Sequence, residues 1–368
     1  MSDYLLAARN LAFKAVRRLA SVHKPFVRGA RKRTRAHEQE QFAHDARAVE
    51  REIAAIAAGS KAIVAGPWLA EVGYEALYWV PFLRWFQDVL RVDPTRITVV
   101  SRGGVGAWYE GIAGSYVDIF DHLTPAQLSA QNEARMSAEE DGGRKQSSMG
   151  AFDQAILESV GHPVSRGTGT VLHPSLLFRL FRNVWHGGLP LDWLWSHTDY
   201  ERLAPPLRPA LARLPNDYIA AKLYTGTALP AAADHRDALR ALVRQATAIA
   251  PVVSLDTGLP IDEHEDYLFA DIPHVISARE WMDPRTNLGV QTAIAARARM
   301  FLGTCGGLAW LMPFYGVPTV AVYADDRQLA PHLFVARQAG RRIGAADFAP
   351  LDLRALQQLR VPCLPSVG

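Results

Sequence analysis

The chain has few cysteines and no long apolar run. Its 368 residues include two cysteines, Cys305 and Cys363, which excludes a disulfide framework, and neither has a companion at the spacing of metal ligands. No apolar run approaches the length that spans a bilayer. Basic residues at Lys14, Arg17 and Arg18 interrupt the apolar residues near the N-terminus. We therefore predict no signal peptide and expect the chain to stay in the cytoplasm.

Two further patterns are missing. The twelve histidines form neither His-x-x-x-His nor His-Glu-x-x-His, so we expect no bound metal. The run Gly103-Gly104-Val-Gly106 is similar to a dinucleotide fingerprint, but Tyr109 occupies the third glycine position and no acidic ribose partner follows at the usual distance. We interpret this run as a turn.

Basic charge is concentrated at the N-terminus. Residues 1–35 hold ten basic side chains and one acidic side chain, whereas the whole chain holds 40 basic and 37 acidic residues. Apolar residues interleave with these cations, which favours an amphipathic helix lying on the anionic inner surface of a membrane as a peripheral contact. The alternative is a solvated, partly disordered tail. Nucleic acid is not the partner we expect, because only Phe13 and Phe26 interleave with the cations as stacking groups.

Alternating apolar patterns predict an α/β protein. Residues 37–58 have helical spacing of apolar side chains and predict a lead-in helix. Apolar runs at 61–65 and 97–100 predict strands, and residues 71–87 predict a helix between them. Residues 170–174 and an aromatic-rich stretch at 178–195 close this first half. Such alternation is typical of a parallel sheet covered on both faces. The polar segment at 129–150 predicts a loop.

A second α/β set follows a proline-rich linker at 205–215. Its predicted elements are strands at 218–224, 252–255 and 274–276, helices at 234–249 and 287–298, and a strand, turn, helix and strand over 300–323. We therefore predict two Rossmann-like domains that face each other across a cleft, at 61–205 and 206–345. A basic helical extension over 1–60 precedes them, and a helix or tail over 346–368 follows.

The turn inside residues 300–323 has the composition of a phosphate site. Thr304, Cys305, Gly306 and Gly307 open a short helix, whose unpaired N–H groups and positive dipole end favour an anion. Glycine lacks Cβ, so a diphosphate can approach the backbone closely. The alternative is an ordinary βαβ turn in which the glycines only allow tight packing. Cys305 is predicted to fill the turn rather than to act as a nucleophile, since no His or Asp is placed to activate it.

Two carboxylates follow the first predicted strand. Glu71 and Glu75 are four residues apart, so on one helix they share a face at its N-terminal end. At the carboxyl end of a parallel strand they are candidates for a general base. The alternative is that both only stabilise the first helical turn.

Both ends of the predicted core resemble a known family. The pattern Gly-x-Glu-x-Leu-x-x-x-Pro, at Gly73, Glu75, Leu77 and Pro81, resembles the first βα unit of heptosyltransferase-type glycosyltransferases. Residues 301–323 resemble the nucleotide-diphosphate loop of GT-B glycosyltransferases, including fucosyltransferase-like members. Two departures are a Glu where the first motif has Asp, and Gly-Thr-Cys-Gly where the loop normally has Asp-Ser/Thr-Gly.

The resemblance implies roles for further residues. Lys222 stands where such enzymes place a basic residue against the donor diphosphate. Asp256 and Ser277 fall where that fold contacts the base and the ribose, and Asn287 and Gln291 begin the helix before the phosphate loop. We assign Trp68, Tyr74, His173 and Arg179 to the acceptor side, with core packing as the alternative for each of them.

The implied activity is transfer of a sugar from a nucleotide-diphosphate donor to a glycan or lipid-linked hydroxyl, without metal or other cofactor. In this reading residues 61–205 bind the acceptor and residues 206–345 bind the nucleotide sugar. One alternative is a nucleotide-sugar epimerase of the same fold. The other is a non-catalytic nucleotide-binding or glycan-binding subunit of a glycan-assembly complex.

Overall fold

A computed structural model describes residues 37–138, 146–160, 168–207, 211, 213–259 and 264–358. The basic segment at 1–35, and with it the predicted membrane contact, lies outside these residues. Residues 37–58 are helical (α1), as their periodicity predicts. Ala46, Val49 and Ile53 on one face of α1 are completely buried.

The first sheet has four parallel strands. They are β1 (Ala62–Ala65), β2 (Ile97–Ser101), β3 (Ser115–Asp118) and β4 (Gly169–Leu172), in the spatial order β3-β2-β1-β4. The helices of this half are α2 (Val72–Tyr74), α3 (Val80–Asp88), α4 (Pro125–Ala138), α5 (Ala151–Ser159), α6 (Pro174–Trp185) and α7 (Leu191–Trp195). The predicted strands at 61–65 and 97–100 are confirmed, and β4 overlaps the apolar run that begins at residue 170.

The second sheet has six parallel strands. They are β5 (Ile219–Lys222), β6 (Val252–Ser254), β7 (Val275–Ser277), β8 (Met300–Thr304), β9 (Thr319–Tyr323) and β10 (Phe348–Asp352), in the order β10-β9-β8-β5-β6-β7. The helices are α8 (Ala233–Thr247), α9 (Asn287–Ala295), α10 (Gly307–Leu311), α11 (Ala330–Ile343) and α12 (Leu353–Gln358).

Both sheets follow the strand order of a Rossmann-like domain. Counted from its own first strand, the second sheet has the order 3-2-1-4-5-6 and the first sheet has 3-2-1-4, the doubly-wound pattern. The predicted fold class is therefore confirmed. The order reverses between β1 and β4 in the first sheet and between β5 and β8 in the second. Ligands of such sheets bind outside the carboxyl ends of the strands at these reversals.

The helix predicted over 71–87 contains a wider turn. Residues Glu75–Trp79 form a π-helical turn between α2 and α3, in which the Val80 amide donates to the Glu75 carbonyl. Pro81 has no N–H with which to bond the Leu77 carbonyl four residues earlier. The Tyr200 hydroxyl donates to that carbonyl instead, at 2.8 Å. An irregular turn of this kind often marks a functional region.

Two boundaries differ from the sequence prediction. Residues 129–138 belong to helix α4 rather than to a loop, because their Ala, Gln, Glu and Arg side chains favour helix and no Gly or Pro interrupts them. The second sheet continues past residue 345 through β10, so the predicted domain end lies before the last strand. Pro350 fits there because β10 is an edge strand, and an edge position tolerates a residue without an N–H.

The two sheets share one buried core. A single cluster of packed apolar side chains includes Ile63 and Val99 of the first sheet together with Phe301 and Ala321 of the second. Apolar side chains therefore join the two Rossmann-like units, in addition to the linker. Within the described part of the chain, no helix has the length and apolar character needed to cross a membrane.

Candidate functional site

A cavity of about 800 Å³ lies between the carboxyl ends of the two sheets. The loops after β1 and β2 form one side, and the loops after β5 and β8 form the other. Helix α4, the start of α9 and the segment leading into α11 complete the lining. A volume of this size accommodates a small-molecule ligand. The cavity lies where the two strand-order reversals predict a ligand.

The predicted phosphate turn lines the second-sheet side. Gly306 has φ +132° and Gly307 has φ +40°, and Gly306 lies in a region of conformational space that is essentially restricted to glycine. An added Cβ on either residue would lie 3.4 Å from the Tyr224 hydroxyl. The glycines therefore both permit the turn and keep its backbone open to the cavity beside Tyr224.

The Thr304 side chain links this turn to the backbone of the loop after β5. Its hydroxyl accepts from the Tyr224 amide and donates to the Tyr224 carbonyl, both at 2.9 Å. The single hydroxyl proton is therefore committed to the backbone. In this geometry the hydroxyl therefore has no proton to donate to a phosphate, although Thr304 does line the cavity.

Cys305 is buried within the same turn. Its amide donates to the Val322 carbonyl at 2.8 Å, and burial raises the pKa of its thiol to about 12. The thiol is thus protonated at neutral pH and is a poor nucleophile. This supports the prediction that Cys305 fills the turn.

Lys222 ends β5 and lines the cavity beside the glycine turn. Its ammonium donates to the Asp266 carboxylate at 2.7 Å and to the Leu255 carbonyl at 3.0 Å. An ammonium has three donors, of which these contacts use two. Lys222 is therefore held in place by two partners with one N–H left over for a ligand.

The two candidate carboxylates have different surroundings. Glu71 is exposed and lines the cavity. Its backbone is extended, with ψ 141°, because it is the residue before α2. Glu75 begins the π-helical turn, is completely buried, and is not part of the lining. The prediction that both share one helical face is therefore wrong, because regular helix does not begin before Val72.

Glu75 lies in the interior of the first domain. Its Oε1 atom accepts from the hydroxyls of Ser101 and Tyr109, both at 2.5 Å, and its Oε2 atom has no hydrogen-bond partner among the described residues. Burial raises the pKa of Glu75 to about 7, against the opposing effects of these two hydrogen bonds and of the nearby Arg102 charge. A carboxyl with one unpartnered oxygen is consistent with a partly protonated group at neutral pH.

Of the four predicted acceptor-side residues, only Tyr74 lines the cavity. Trp68 is fully buried and stacks on Trp79 and Phe178, so it belongs to the core. His173 is also buried and bonds Asp153 at 3.1 Å.

Arg179 lies away from the cavity. Its guanidinium pairs with Asp45 at 2.5 Å and with Glu52 at 3.9 Å. Arg179 lies on α6, and both of its acidic partners lie on α1. These ion pairs hold α1 against α6, so Arg179 faces that helix and not a ligand.

The residues predicted to contact the nucleotide fall into two groups. Asn287 and Gln291 line the cavity. Asp256 and Ser277 do not, since the Ser277 hydroxyl donates to the Asp256 carboxylate at 2.8 Å and Arg279 approaches the same carboxylate at 3.4 Å. Thr257, the residue after Asp256, does line the cavity. The loop after β6 therefore contacts the cavity through Thr257 and not through Asp256.

Close backbone approaches join the two domains around the cavity. An added Cβ on Gly73 would lie 2.9 Å from the Gly307 nitrogen. On the other side the Gly289 amide donates to the Gly103 carbonyl at 2.9 Å. The run Gly103-Gly104 is therefore a turn, as predicted, and its small residues allow α9 of the second domain to pack against it.

Sequence reasoning missed His332. This residue of α11 is 6% exposed and lines the cavity, and its ring nitrogens bond the hydroxyls of Tyr74 at 2.9 Å and Tyr78 at 2.6 Å. It thus joins the second domain to the first. No local pattern marks it, because its partners are more than 250 residues away.

Arg102 and Tyr224 were also missed. Arg102 follows β2 and is 3% exposed, and Tyr224 lies two residues after β5 and contacts the His264 ring at 4.7 Å between centroids. Arg102 and Tyr224 line the cavity, as His332 does. The rule that ligands bind beyond strand ends could have identified Arg102 and Tyr224.

Among the described residues, no set of three or more His, Cys, Asp or Glu side chains is placed to hold a metal ion.

Comparisons with known proteins find only remote likeness. No protein-family model matches the chain, and no curated protein matches it in sequence. A glycosyl transferase of family 9 from Veillonella parvula has a similar structure, with 14% identity over 72% of this chain and 81% of that chain and a TM-score of 0.38. The glycosyltransferase SnogD from Streptomyces nogalater is 14% identical over 82% of this chain and 98% of its own, with a TM-score of 0.35.

A UDP-N-acetylglucosamine 2-epimerase is a third similar structure. It is 12% identical over 81% of this chain and 85% of its own, with a TM-score of 0.30. At these values the comparisons transfer no residue role to this chain.

Proposed function

We propose that this chain is a glycosyltransferase that moves a sugar from a nucleotide-diphosphate donor to a hydroxyl of a glycan or lipid-linked acceptor, without a bound metal. One observation carries the proposal. The cavity places a basic residue and a glycine turn at the strand-order reversal of the second sheet, and an exposed carboxylate after the first strand of the first sheet. A diphosphate donor and a base-activated acceptor need these groups on opposite sides of one site.

Lys222 and the Gly306–Gly307 backbone are the proposed diphosphate contacts. Lys222 keeps one donor for a phosphate oxygen while Asp266 and Leu255 hold it in place. The glycine turn presents backbone without a Cβ to the cavity. When the bond between the anomeric carbon and the diphosphate breaks, negative charge grows on the leaving phosphate oxygen. A preplaced ammonium lowers the barrier to that step.

Glu71 is the proposed general base. It is the carboxylate of the first-domain loop that reaches the cavity, whereas Glu75 is enclosed. As the acceptor oxygen forms its bond to the anomeric carbon, Glu71 takes the hydroxyl proton. The sugar is transferred, the nucleoside diphosphate leaves, and Glu71 later returns the proton to water.

The acceptor is proposed to be met at the cytoplasmic face of a membrane. The basis is the charge pattern of residues 1–35, which suits an anionic lipid surface. Full-length chain should co-sediment with anionic vesicles, and a chain lacking these residues should not. Unchanged co-sedimentation of the shortened chain would contradict this part of the proposal.

A product assay tests the activity. Nucleotide sugars carrying UDP, GDP, ADP, CMP or dTDP are incubated with the chain and a glycan or lipid-extract acceptor, with and without a chelator, and the sugar is followed by mass spectrometry. A chelator-resistant product that joins sugar and acceptor supports transfer. An isomerised sugar formed without acceptor would instead indicate an epimerase. Binding of nucleotide with neither product would indicate a silent binding subunit.

A further inference from the structure

The loop that carries the proposed base is held by a side chain from a distant part of the sequence. Gln146 lies shortly before α5 and is completely buried. Its side-chain oxygen accepts from the amide of Leu69 at 2.8 Å and from the amide of Ala70 at 3.2 Å. These two residues directly precede Glu71 and line the cavity beside it. Gln146 therefore binds the backbone from which the proposed base extends.

The other half of the Gln146 amide is bonded as well. Its side-chain nitrogen donates to the Pro67 carbonyl at 2.9 Å and to the Asp153 carboxylate at 2.8 Å. A primary amide has two N–H donors and one oxygen that accepts two hydrogen bonds, so every bonding position of Gln146 is filled. The Pro67 carbonyl has no proton to donate. The nitrogen must therefore face Pro67, and the oxygen must face the amides of Leu69 and Ala70.

Asp153 anchors Gln146 to the rest of the first domain. Its carboxylate also accepts from the Gly150 amide at 2.8 Å, at the start of α5, and bonds the His173 ring at 3.1 Å, directly before α6. Burial alone would raise the pKa of Asp153, but its hydrogen bonds and its electrostatic interaction with His173 hold this pKa below the ordinary value. The carboxylate is thus ionised at neutral pH and accepts hydrogen bonds. The loop before Glu71 is in this way tied to two helices through Gln146.

Removal of Gln146 would disturb the two residues before the proposed base. Leu69 and Ala70 are 2% and 3% exposed, so their amides are shielded from water. A buried N–H that loses its acceptor is costly. Without Gln146 the loop would have to shift until water or another acceptor reached these amides. Glu71 is the next residue, and a shift of about 1 Å in a reacting group can lower a rate about 100-fold.

We propose that Gln146 is a positioning residue for the transfer reaction, because it fixes the backbone before Glu71 and so directs this carboxylate at the acceptor hydroxyl. The inference rests on the proposed function, which gives Glu71 the role of the base. Gln146 is not part of the cavity lining. Its effect on the reaction is therefore expected through Glu71 and not through contact with a substrate.

Kinetics of two variants test the positioning role. Gln146→Ala removes the acceptor of both loop amides, so we expect kcat to fall by about 10- to 100-fold. KM for the nucleotide sugar should stay within about threefold, because the proposed donor contacts lie on the second-sheet side of the cavity.

Asn183→Ala is the matched control. Asn183 is also a completely buried amide of the first domain, it donates to the Gln39 carbonyl at 3.0 Å, and it lies outside the cavity lining. Rates are measured well below the melting temperature of each variant. A loss of kcat in Asn183→Ala as large as in Gln146→Ala would overturn the proposal.

A double-mutant cycle shows whether Gln146 acts through Glu71. When two residues serve one step, their effects on the rate do not add. In a chain that already carries Glu71→Gln, adding Gln146→Ala should therefore lower kcat by no more than about twofold further. A further loss as large as that of Gln146→Ala alone would show that Gln146 acts elsewhere, which would also overturn the proposal.

Amide hydrogen exchange separates this inference from the proposed function. Exchange at Leu69 and Ala70, followed by mass spectrometry of the peptides that contain them, should be about tenfold or more faster in Gln146→Ala than in wild type or Asn183→Ala. If wild type transfers sugar but this exchange or kcat is unchanged in Gln146→Ala, the inference is wrong and the proposed function stands. If wild type transfers no sugar from any donor although exchange rises in Gln146→Ala, the proposed function fails, and Gln146 then only holds the loop.

Discussion

The two sides of the cavity are built in different ways. On the second-sheet side, Lys222 and Thr304 end neighbouring strands, so the sheet itself brings the lysine to the glycine turn. On the first-sheet side, Glu71 and Arg102 follow strands as well, but residues beside them in the chain bond the other domain, since Gly103 accepts from Gly289 of α9 and Tyr74 bonds His332 of α11. The donor half of the site is therefore set by one sheet, and the acceptor half depends on how the two domains pack.

The largest effect should come from the proposed base. Glu71→Gln removes the proton acceptor but keeps the shape, and we expect kcat to fall by about 100- to 10,000-fold. Glu75→Gln is the matched control because that carboxyl is enclosed, and its kcat should stay within about threefold. Initial rates of sugar transfer measure both. If Glu75→Gln inactivates and Glu71→Gln does not, the two roles are reversed.

A somewhat smaller loss should follow removal of the donor-side charge. Lys222→Met keeps most of the stem but cannot stabilise the leaving diphosphate, so we expect kcat to fall by about 100- to 1000-fold. Lys61→Met, at an exposed position before β1, is the control. Steady-state kinetics with saturating acceptor give the comparison. Unchanged turnover in Lys222→Met would remove the lysine from the reaction.

Glu75 should make stability depend on pH. Its pKa is about 7 in the fold against an ordinary value of 4.5, so between these values the folded chain keeps a proton that the unfolded chain has lost. The free energy of unfolding should therefore fall as pH rises from about 4.5 to 7, by a total of about 3 kcal/mol from this group.

Urea denaturation at intervals from pH 5 to 8 measures this slope. Glu75→Gln should flatten it, because glutamine does not titrate, whereas Glu71→Gln at an exposed site should leave it in place. A slope that is the same in wild type and Glu75→Gln would show that Glu75 keeps an ordinary pKa.

The smallest effect concerns the contact between the two sides. Gly73→Ala places a Cβ 2.9 Å from the Gly307 nitrogen, so α2 or the glycine turn must shift, at a cost of about 1–3 kcal/mol. Gly59→Ala, whose Cβ would meet its nearest neighbour at 3.5 Å, is the control and should cost less. Thermal unfolding gives the stability change, and nucleotide titration shows whether the turn has moved. Equal costs would mean that the contact is not tight.

Much of the donor side could be predicted from the sequence. The apolar runs ended near Lys222 and Thr304, and parallel strands bring such ends to one edge of a sheet. Glycines at 306 and 307 indicated a turn that needs unusual backbone angles, which the structure contains. These predictions depend only on local sequence patterns and on a general rule of sheet topology. They can therefore be made without knowing how the two domains pack.

The acceptor side was harder to predict for a physical reason. Trp68, His173 and Arg179 have the composition of a binding site, but whether an aromatic or charged side chain meets a ligand depends on which helix covers it. Here α1 covers Arg179 and the core encloses Trp68. Glu71 and Glu75 also do not share a face, because Glu71 keeps an extended backbone before α2 and only Glu75 lies within the helical segment.

The central claim is that the cavity binds a nucleotide through its second phosphate, at Lys222 and the glycine turn. Thermal-shift titration with the diphosphate and the monophosphate of the same nucleoside tests it most directly, since a ligand that binds only the folded chain raises the melting temperature. We predict a larger shift for the diphosphate in wild type and equal shifts in Lys222→Met. Equal shifts in wild type, or a diphosphate advantage that persists in Lys222→Met, would contradict the account.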